Sequence, residues 1–378
     1  MLDWWDLEPP ARVAARRTEH GRPGDECDLH RRVLSGPRSL SIANGNGLSE
    51  SSPPVPNPVF VVGVFRSGTS LVHSLLNRHP QVALMFECDV WDFPESLSRR
   101  RLRRNWLQRL EFYNQALSRH RLRVDVAPGV DADPDALYRA FGEASGAAVW
   151  GEKSPHYCAR LRQLAGRYPR GSFIVVGRDP VDTYGSVVRA GRHERFFRRR
   201  GMLSRMIFLE EELTRQAAEL GRAGARITHL TYDDLVERTA DVCRDLCRFL
   251  DLDFDPRMLD LARADFSAVY PRPEHEHLRR GRIERQRCAN ILDAAIIGKL
   301  RRFQARWERL GPWRASGRSP EHGPRPEPSM PELVHHAVAG AFLSALDDCK
   351  RALLEFLPLS WLHTYRRTMR RLFRRRAS

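Results

Sequence analysis

Short apolar runs, unbroken rather than alternating, punctuate the middle of the chain. The first starts at Val59 in "PVFVVG" and another covers Phe173 to Val176 in "SFIVVG"; a more polar run, Ile227 to Leu230 in "RITHL", supplies a third strand. Runs of this kind fit strands buried on both faces, as in a parallel sheet. After the first run, Leu71, Val72, Leu75 and Leu76 recur at helical spacing and predict an amphipathic helix. "QVALMF" should be the next strand, ending at Glu87, and a helix follows the third run from about Asp233. Strands alternating with helices predict an α/β fold in three layers around a central parallel sheet, with helical additions and with ligands gathered at the carboxyl ends of the strands.

Outside this rhythm the texture changes. Residues 1–57 are rich in Pro, Gly, Ser and charge and read as an N-terminal extension, partly disordered. Arginines among Leu and Trp over residues 96–125 predict one or two long surface helices. The main domain runs over 58–314, a polar, Pro-rich linker over 315–331 and a helical basic tail over 332–378, with a break at Pro358.

Composition bounds the partners. A chain of 378 residues can bury a substantial core, and a net charge of +16 with a pI near 10.3 points to anionic ones: nucleotides, acidic substrates, nucleic acid or a membrane surface. Seven cysteines without a repeated Cys-x-x-Cys pattern point to a reducing compartment, and with no signal peptide and no run long enough to span a bilayer the expectation is cytoplasmic. Cys243 and Cys247, one helical turn apart in an apolar pattern, read as core packing rather than metal ligands.

"GVFRSGTS", Gly63 to Ser70, joins the first strand to its helix. Such a loop presents backbone N–H groups at a helix N-terminus, where the macrodipole favours an anion. Arg66 adds a charged grip, and Ser67, Thr69 and Ser70 supply hydroxyl donors around Gly68. Thr69 stands where a nucleotide-hydrolysing P-loop carries lysine, so the loop suits a group less charged than a triphosphate, such as one phosphate bearing a sulfuryl.

At this loop the sequence resembles the sulfotransferases that use 3′-phosphoadenosine 5′-phosphosulfate (PAPS), whose 5′-phosphosulfate loop reads much like Arg66-Ser67-Gly68-Thr69-Ser70. "FIVVGRDPVDTYGSVV" is similar to the family's 3′-phosphate element and puts Arg178 and Ser186 on that phosphate; Arg189 or Arg192 stands near the place of a further family arginine. "LTYDDLVE" resembles the Tyr-Glu-Asp-Leu stretch, with Tyr232 on the adenine side, although a tyrosine after a strand is often simply core. "HLRRGRIERQ" resembles the Arg-Lys-Gly loop and places Arg279, Arg280 and Gly281 near the nucleotide, but departs from it at Glu284-Arg285-Gln286. The likeness runs from Val59 to about Gly311 and implies a P-loop-like fold with PAPS as co-substrate and no metal.

Sulfuryl transfer needs a base for the acceptor hydroxyl and cations for the charge on the leaving phosphate. The resemblance makes Glu87 the general base, with Asp89 as nearest rival and His156 as the better histidine. Lys153, in "GEKSPHY", matches a lysine that contacts the sulfate and bridging oxygen, and Arg66 joins it. His79 reads as a structural group before Pro80. Two rivals are a P-loop small-molecule kinase, which lacks its lysine here, and a non-catalytic basic adaptor, which leaves the anion loops unexplained. The acceptor is a small molecule, glycan or lipid, and no nucleic acid is expected. For the tail, Phe356, Leu357, Leu359, Trp361 and Leu362 followed by Arg366 to Arg376 suit an anionic membrane surface, and a helix packed on the domain fits equally.

Overall fold

The computed structural model describes residues 38–42, 57–87, 122–126, 138, 141–143, 145–264, 278, 280–283, 285, 287–310 and 327–356. In chain order the strands are β1 (Arg38–Ile42), β2 (Val59–Val62), β3 (Val82–Phe86), β4 (Leu122–Val126), β5 (Val149–Lys153), β6 (Ser172–Gly177) and β7 (Ile227–Thr231). The helices are α1 (Thr69–Leu76), α2 (Leu161–Arg167), α3 (Pro180–Ala190), α4 (Met202–Arg222), α5 (Tyr232–Glu237), α6 (Thr239–Phe249), α7 (Ala294–Leu310) and α8 (Met330–Phe356).

Five strands pair in parallel in the order β3-β5-β2-β6-β7, so the fold is α/β with a central parallel sheet. Because side chains alternate across a strand, β2 and β6 feed two cores. Val59, Val61, Ile174 and Val176 pack with Leu71, Val72 and Leu75 of α1, Leu235 of α5 and Val242, Cys243, Leu246 and Cys247 of α6. Phe60, Val62, Phe173 and Val175 pack on the other face with Leu161 and Leu164 of α2 and Leu209 and Leu213 of α4. Cys243 and Cys247 therefore fill a core, and burial pushes the Cys243 thiol up to about 12.

The sequence reading passed over β5, because "VWGEK" carries Gly, Glu and Lys where a central strand usually carries aliphatics. Partners elsewhere make it tolerable. Glu152, fully buried, accepts hydrogen bonds from the hydroxyls of Tyr157, at 2.8 Å, and Tyr138. A buried carboxylate so bonded avoids the full desolvation cost. The Tyr138 hydroxyl is in turn held well above its usual pKa, chiefly by burial and then by the Glu152 charge.

The helices expected over 96–125 are corrected at their end: Leu122–Val126 is β4, paired in parallel with β1. "LRVDV" alternates with period two, which is a strand pattern, and β1 lies within the N-terminal extension. Residues 96–121 lie outside the described residues, as do 315–326 of the expected linker.

Helix α8 packs along α4. Gly340 lets the two helices approach closely, since a Cβ there would stand 2.3 Å from Phe208 Cβ and 2.8 Å from the Ser204 carbonyl. Ser204 Oγ lies 2.8 Å from His336 Nδ1, and the Asp347 carboxylate accepts from Arg205 and, at 2.9 Å, from Arg199. This is the packed-helix reading of the tail for residues 330–356; Pro358 and the arginines from Arg366 onward lie outside the described residues. Among the described residues, no helix is long and apolar enough to cross a membrane.

Candidate functional site

The loop after β2 turns back sharply on its own strand. A Cβ on Gly63 would stand 2.5 Å from both Ser67 Oγ and the Val176 carbonyl, so only glycine allows the turn to sit against β6. Arg66 and Gly68 both take positive φ, 70° and 106°, and Ser67 N donates to the Val64 carbonyl over 3.1 Å. Non-glycine residues in this region cost about 1 to 3 kcal/mol and persist where neighbours fix them. Two neighbours do so here. Arg178 Nη1 donates to the Arg66 carbonyl over 3.1 Å, and Arg66 Nε donates to Ser186 Oγ over 3.2 Å.

Ser67 is fully buried, and its hydroxyl has no hydrogen-bond partner among the described residues. An orphaned hydroxyl in a loop at the start of α1 is the kind of donor an anion would satisfy. Thr69 is also buried, and Ser70 is half-buried at the same turn.

Lys153 ends β5, the strand between β2 and β3, and so points its ammonium at the loop from beside it. That ammonium is fully buried, 3.3 Å from the centre of the Phe86 ring, 3.5 Å from Ser70 Oγ and 2.5 Å from Glu87 Oε1. Glu87 follows β3 with φ 48°, its N–H donating to the Lys153 carbonyl over 2.8 Å. The sheet register, Phe86 opposite Lys153, thus sets the carboxylate on the cation. Removing one member of so enclosed a pair would strand the other charge.

On the far side of the loop, Arg178 follows β6 and Ser186 is buried on α3. The Arg178 guanidinium lies 4.3 Å from the centre of the Tyr232 ring, and that ring packs on Gly68, where a Cβ would meet Tyr232 Cδ2 at 2.5 Å. Tyr232 is therefore both core, at 5% exposure, and a wall of the loop. Asp179 caps α3 through the Val181 and Asp182 N–H groups and pairs with Arg301 at 2.5 Å, which fixes the turn that carries Arg178.

The structure thus brings Arg66, Ser67, Gly68, Thr69, Ser70, Arg178, Ser186 and Tyr232 together on one side and Lys153 and Glu87 on the other. Gly281 takes φ 69° against Ala262, and Arg280 is exposed beside it; Arg279 and Asp89 lie outside the described residues. His156 sits edge-on to Phe65, ring centroids 5.3 Å apart. His79 is structural: it accepts from Gln81 N at 3.1 Å, and its Nε2 lies 2.9 Å from the Asp253 carbonyl. One link was missed in the sequence. Arg285, at the departure from the Arg-Lys-Gly loop pattern, pairs with Asp233 at 3.0 Å and with Glu237, tying that segment to the helix begun by Tyr232.

A family model described as "Sulfotransferase family" matches residues 58–256, just over half of the chain and the whole of the sheet described above. The chain belongs to the sulfotransferase family. As a sulfotransferase it is an enzyme, which displaces the kinase and adaptor readings. Solved structures with a similar chain include the sulfotransferase domain of the Synechococcus PCC 7002 olefin synthase, at 17% identity over 76% of this chain and 97% of that one, TM-score 0.42. A sulfotransferase from Alicyclobacillus acidocaldarius shares 22% identity over 59% of this sulfotransferase and 90% of its own chain, TM-score 0.34. Retinol dehydratase, solved with androsterone and the inactive cofactor PAP, shares 13% over 70% and 84% of the two chains, TM-score 0.40. No curated protein matches the chain.

Proposed function

We propose that this sulfotransferase moves the sulfuryl group of PAPS to a hydroxyl, with an amine as the second-ranked acceptor, by in-line displacement, with Glu87 as general base. The observation that carries the reading is the Lys153 ammonium, held 2.5 Å from the Glu87 carboxylate and 3.5 Å from Ser70 Oγ, where three adjacent strand ends meet the anion loop.

The roles follow from the chemistry each group offers. The Arg66 to Ser70 turn, with the orphaned Ser67 hydroxyl, holds the 5′-phosphosulfate of the donor. Arg178 and Ser186 hold the 3′-phosphate, Tyr232 flanks the adenine, and Arg279, Arg280 and Gly281 close over the nucleotide. Lys153 and Arg66 stabilise the charge that grows on the bridging oxygen as the bond to sulfur breaks. In the donor-free site Glu87 and Lys153 neutralise each other. A sulfate beside Lys153 competes for its ammonium, which frees the carboxylate to take the proton of the acceptor hydroxyl as oxygen bonds to sulfur. Small molecules, glycans and lipids are the acceptor classes that carry such a hydroxyl. The catalytic unit on this reading is residues 58–314.

Glu87→Gln tests the assignment. Glutamine keeps an oxygen for Lys153 to donate to, so bisphosphate nucleotide affinity should stay near native. Turnover, followed with labelled donor and a metabolite extract by mass spectrometry of the sulfated product, should fall by roughly 10²- to 10⁴-fold, the usual range for a lost general base. Native turnover in the variant would move the role to Asp89 or His156.

A further inference from the structure

Helix α8 wears its polarity the wrong way round for a helix at the edge of a folded domain. Three of its acids reach arginines of the domain: Glu332 pairs with Arg302 at 2.6 Å, Asp347 with Arg199 at 2.9 Å and with Arg205, and the half-exposed Asp348 with Arg160 at 3.3 Å. Leu333 and Leu343 face the domain, but five other large apolar side chains are exposed at every fourth residue, Met330 69%, Val334 54%, Val338 64%, Phe342 61% and Leu346 48%. Exposed alanines fill the gaps, and His335 is the one polar residue among the exposed positions from 334 to 346. A surface helix ordinarily shows the reverse pattern, and a contiguous apolar stripe of this length marks an interaction surface.

We propose that this outer face of α8 lies on an anionic lipid bilayer. The stripe covers residues 330–346 of the 27-residue helix, about 25 Å of rise, and among the exposed positions from 334 to 346 it carries no Asp, Glu, Lys or Arg. Charge selects the partner. A second copy of the chain would bring another +16 against the first, whereas the sequence that continues from α8, residues 357–378, has seven arginines and no aspartate or glutamate. An apolar stripe to enter the acyl boundary, followed by arginines to meet anionic headgroups, is the two-part signal that holds a protein at a bilayer surface. The proposal involves no step of sulfuryl transfer and stands apart from the assignment of Glu87.

The test uses the full chain with sedimenting vesicles of phosphatidylcholine, with and without phosphatidylserine. The native chain should pellet with the phosphatidylserine vesicles and less so at high salt. Val338→Asp combined with Phe342→Asp should weaken vesicle binding by roughly tenfold or more, with melting temperature and adenosine bisphosphate affinity unchanged. If the aspartates lower the melting temperature, Phe342→Ser alone supplies the readout. Equal pelleting of native and substituted chains overturns the proposal in favour of the arginines alone, and absence of pelleting overturns it outright. A native dimer in sedimentation velocity that the substitutions dissociate, without vesicle binding, overturns it in favour of a second copy.

Discussion

Replacing Arg178 separates two jobs that its position combines. Its Nη1 braces the Arg66 carbonyl over 3.1 Å, and its guanidinium stands 4.3 Å from the Tyr232 ring centre. Losing the hydrogen bond costs about 0.5 to 1.5 kcal/mol, and losing a partly exposed cation–π contact about 0.5 to 1 kcal/mol. Both contacts exist without nucleotide, so only the part that preorganises the loop reaches binding, and Arg178→Ala should weaken AMP by at most about 2.5 kcal/mol, up to roughly 70-fold. The bisphosphate should lose a further charge-assisted contact worth about 1.5 to 3 kcal/mol, so its advantage over AMP falls roughly 10- to 150-fold. Arg178→Gln keeps a donor for the Arg66 carbonyl but no charge, so AMP should suffer less while the bisphosphate advantage drops by a similar factor. Calorimetry of adenosine 3′,5′-bisphosphate and AMP against the three proteins, in EDTA, reads every term. An unchanged bisphosphate-to-AMP ratio in both variants would refute the 3′-phosphate contact and leave Arg178 as a brace only.

Gly68→Ala should destabilise the fold by about 2 to 4 kcal/mol in urea unfolding, because φ 106° strains an L-residue and the new Cβ would meet the buried Tyr232 ring at 2.5 Å; native stability would show that this turn is looser than its geometry. Burial pushes the Glu210 carboxyl up to about 8, so the unfolded chain ionises it near pH 4.5 while the folded chain keeps it neutral, and stability is lost as pH rises through that window. The advantage of Glu210→Gln over the native chain should therefore grow between about pH 4.5 and 8 by on the order of 3 to 5 kcal/mol, and a pH-independent difference in unfolding free energy would contradict it.

Much of the sheet was legible because β2, β3 and β6 take most of their residues from apolar runs, and the anion loop because glycine, arginine and hydroxyls cluster at a strand end. What escaped reading depended on side-chain partners outside each local pattern, several of them distant in sequence. β5 looks too polar for a central strand until Tyr138 and Tyr157 reach Glu152 and Glu87 reaches Lys153. The bracing of Arg66 by Arg178 joins residues 112 positions apart, and without it Arg178 would be expected to matter to the 3′-phosphate alone. α8 was read correctly as helical, yet its apolar periodicity gave no hint that the acids would face the domain, since Arg160, Arg199, Arg205 and Arg302 lie on other segments. Arg285 shows the same limit, its partners Asp233 and Glu237 lying far back in the chain.

The place of β2 also sets when the site can exist. β2 ends at Val62, but its two neighbours, β5 and β6, begin only at Val149 and Ser172. During synthesis from the N-terminus, the strand that anchors the anion loop has no neighbour until residue 153 has been added and lacks its second until residue 177, a wait on the order of ten seconds at ordinary elongation rates. Pairings this remote in sequence also close slowly, because a long loop must be ordered before any contact rewards it. Through that interval the apolar stretch from Val59 to Phe65, buried in the folded chain, lacks the complete sheet that covers it, so a nascent chain of this sulfotransferase exposes an aggregation-prone segment before its anion loop can form.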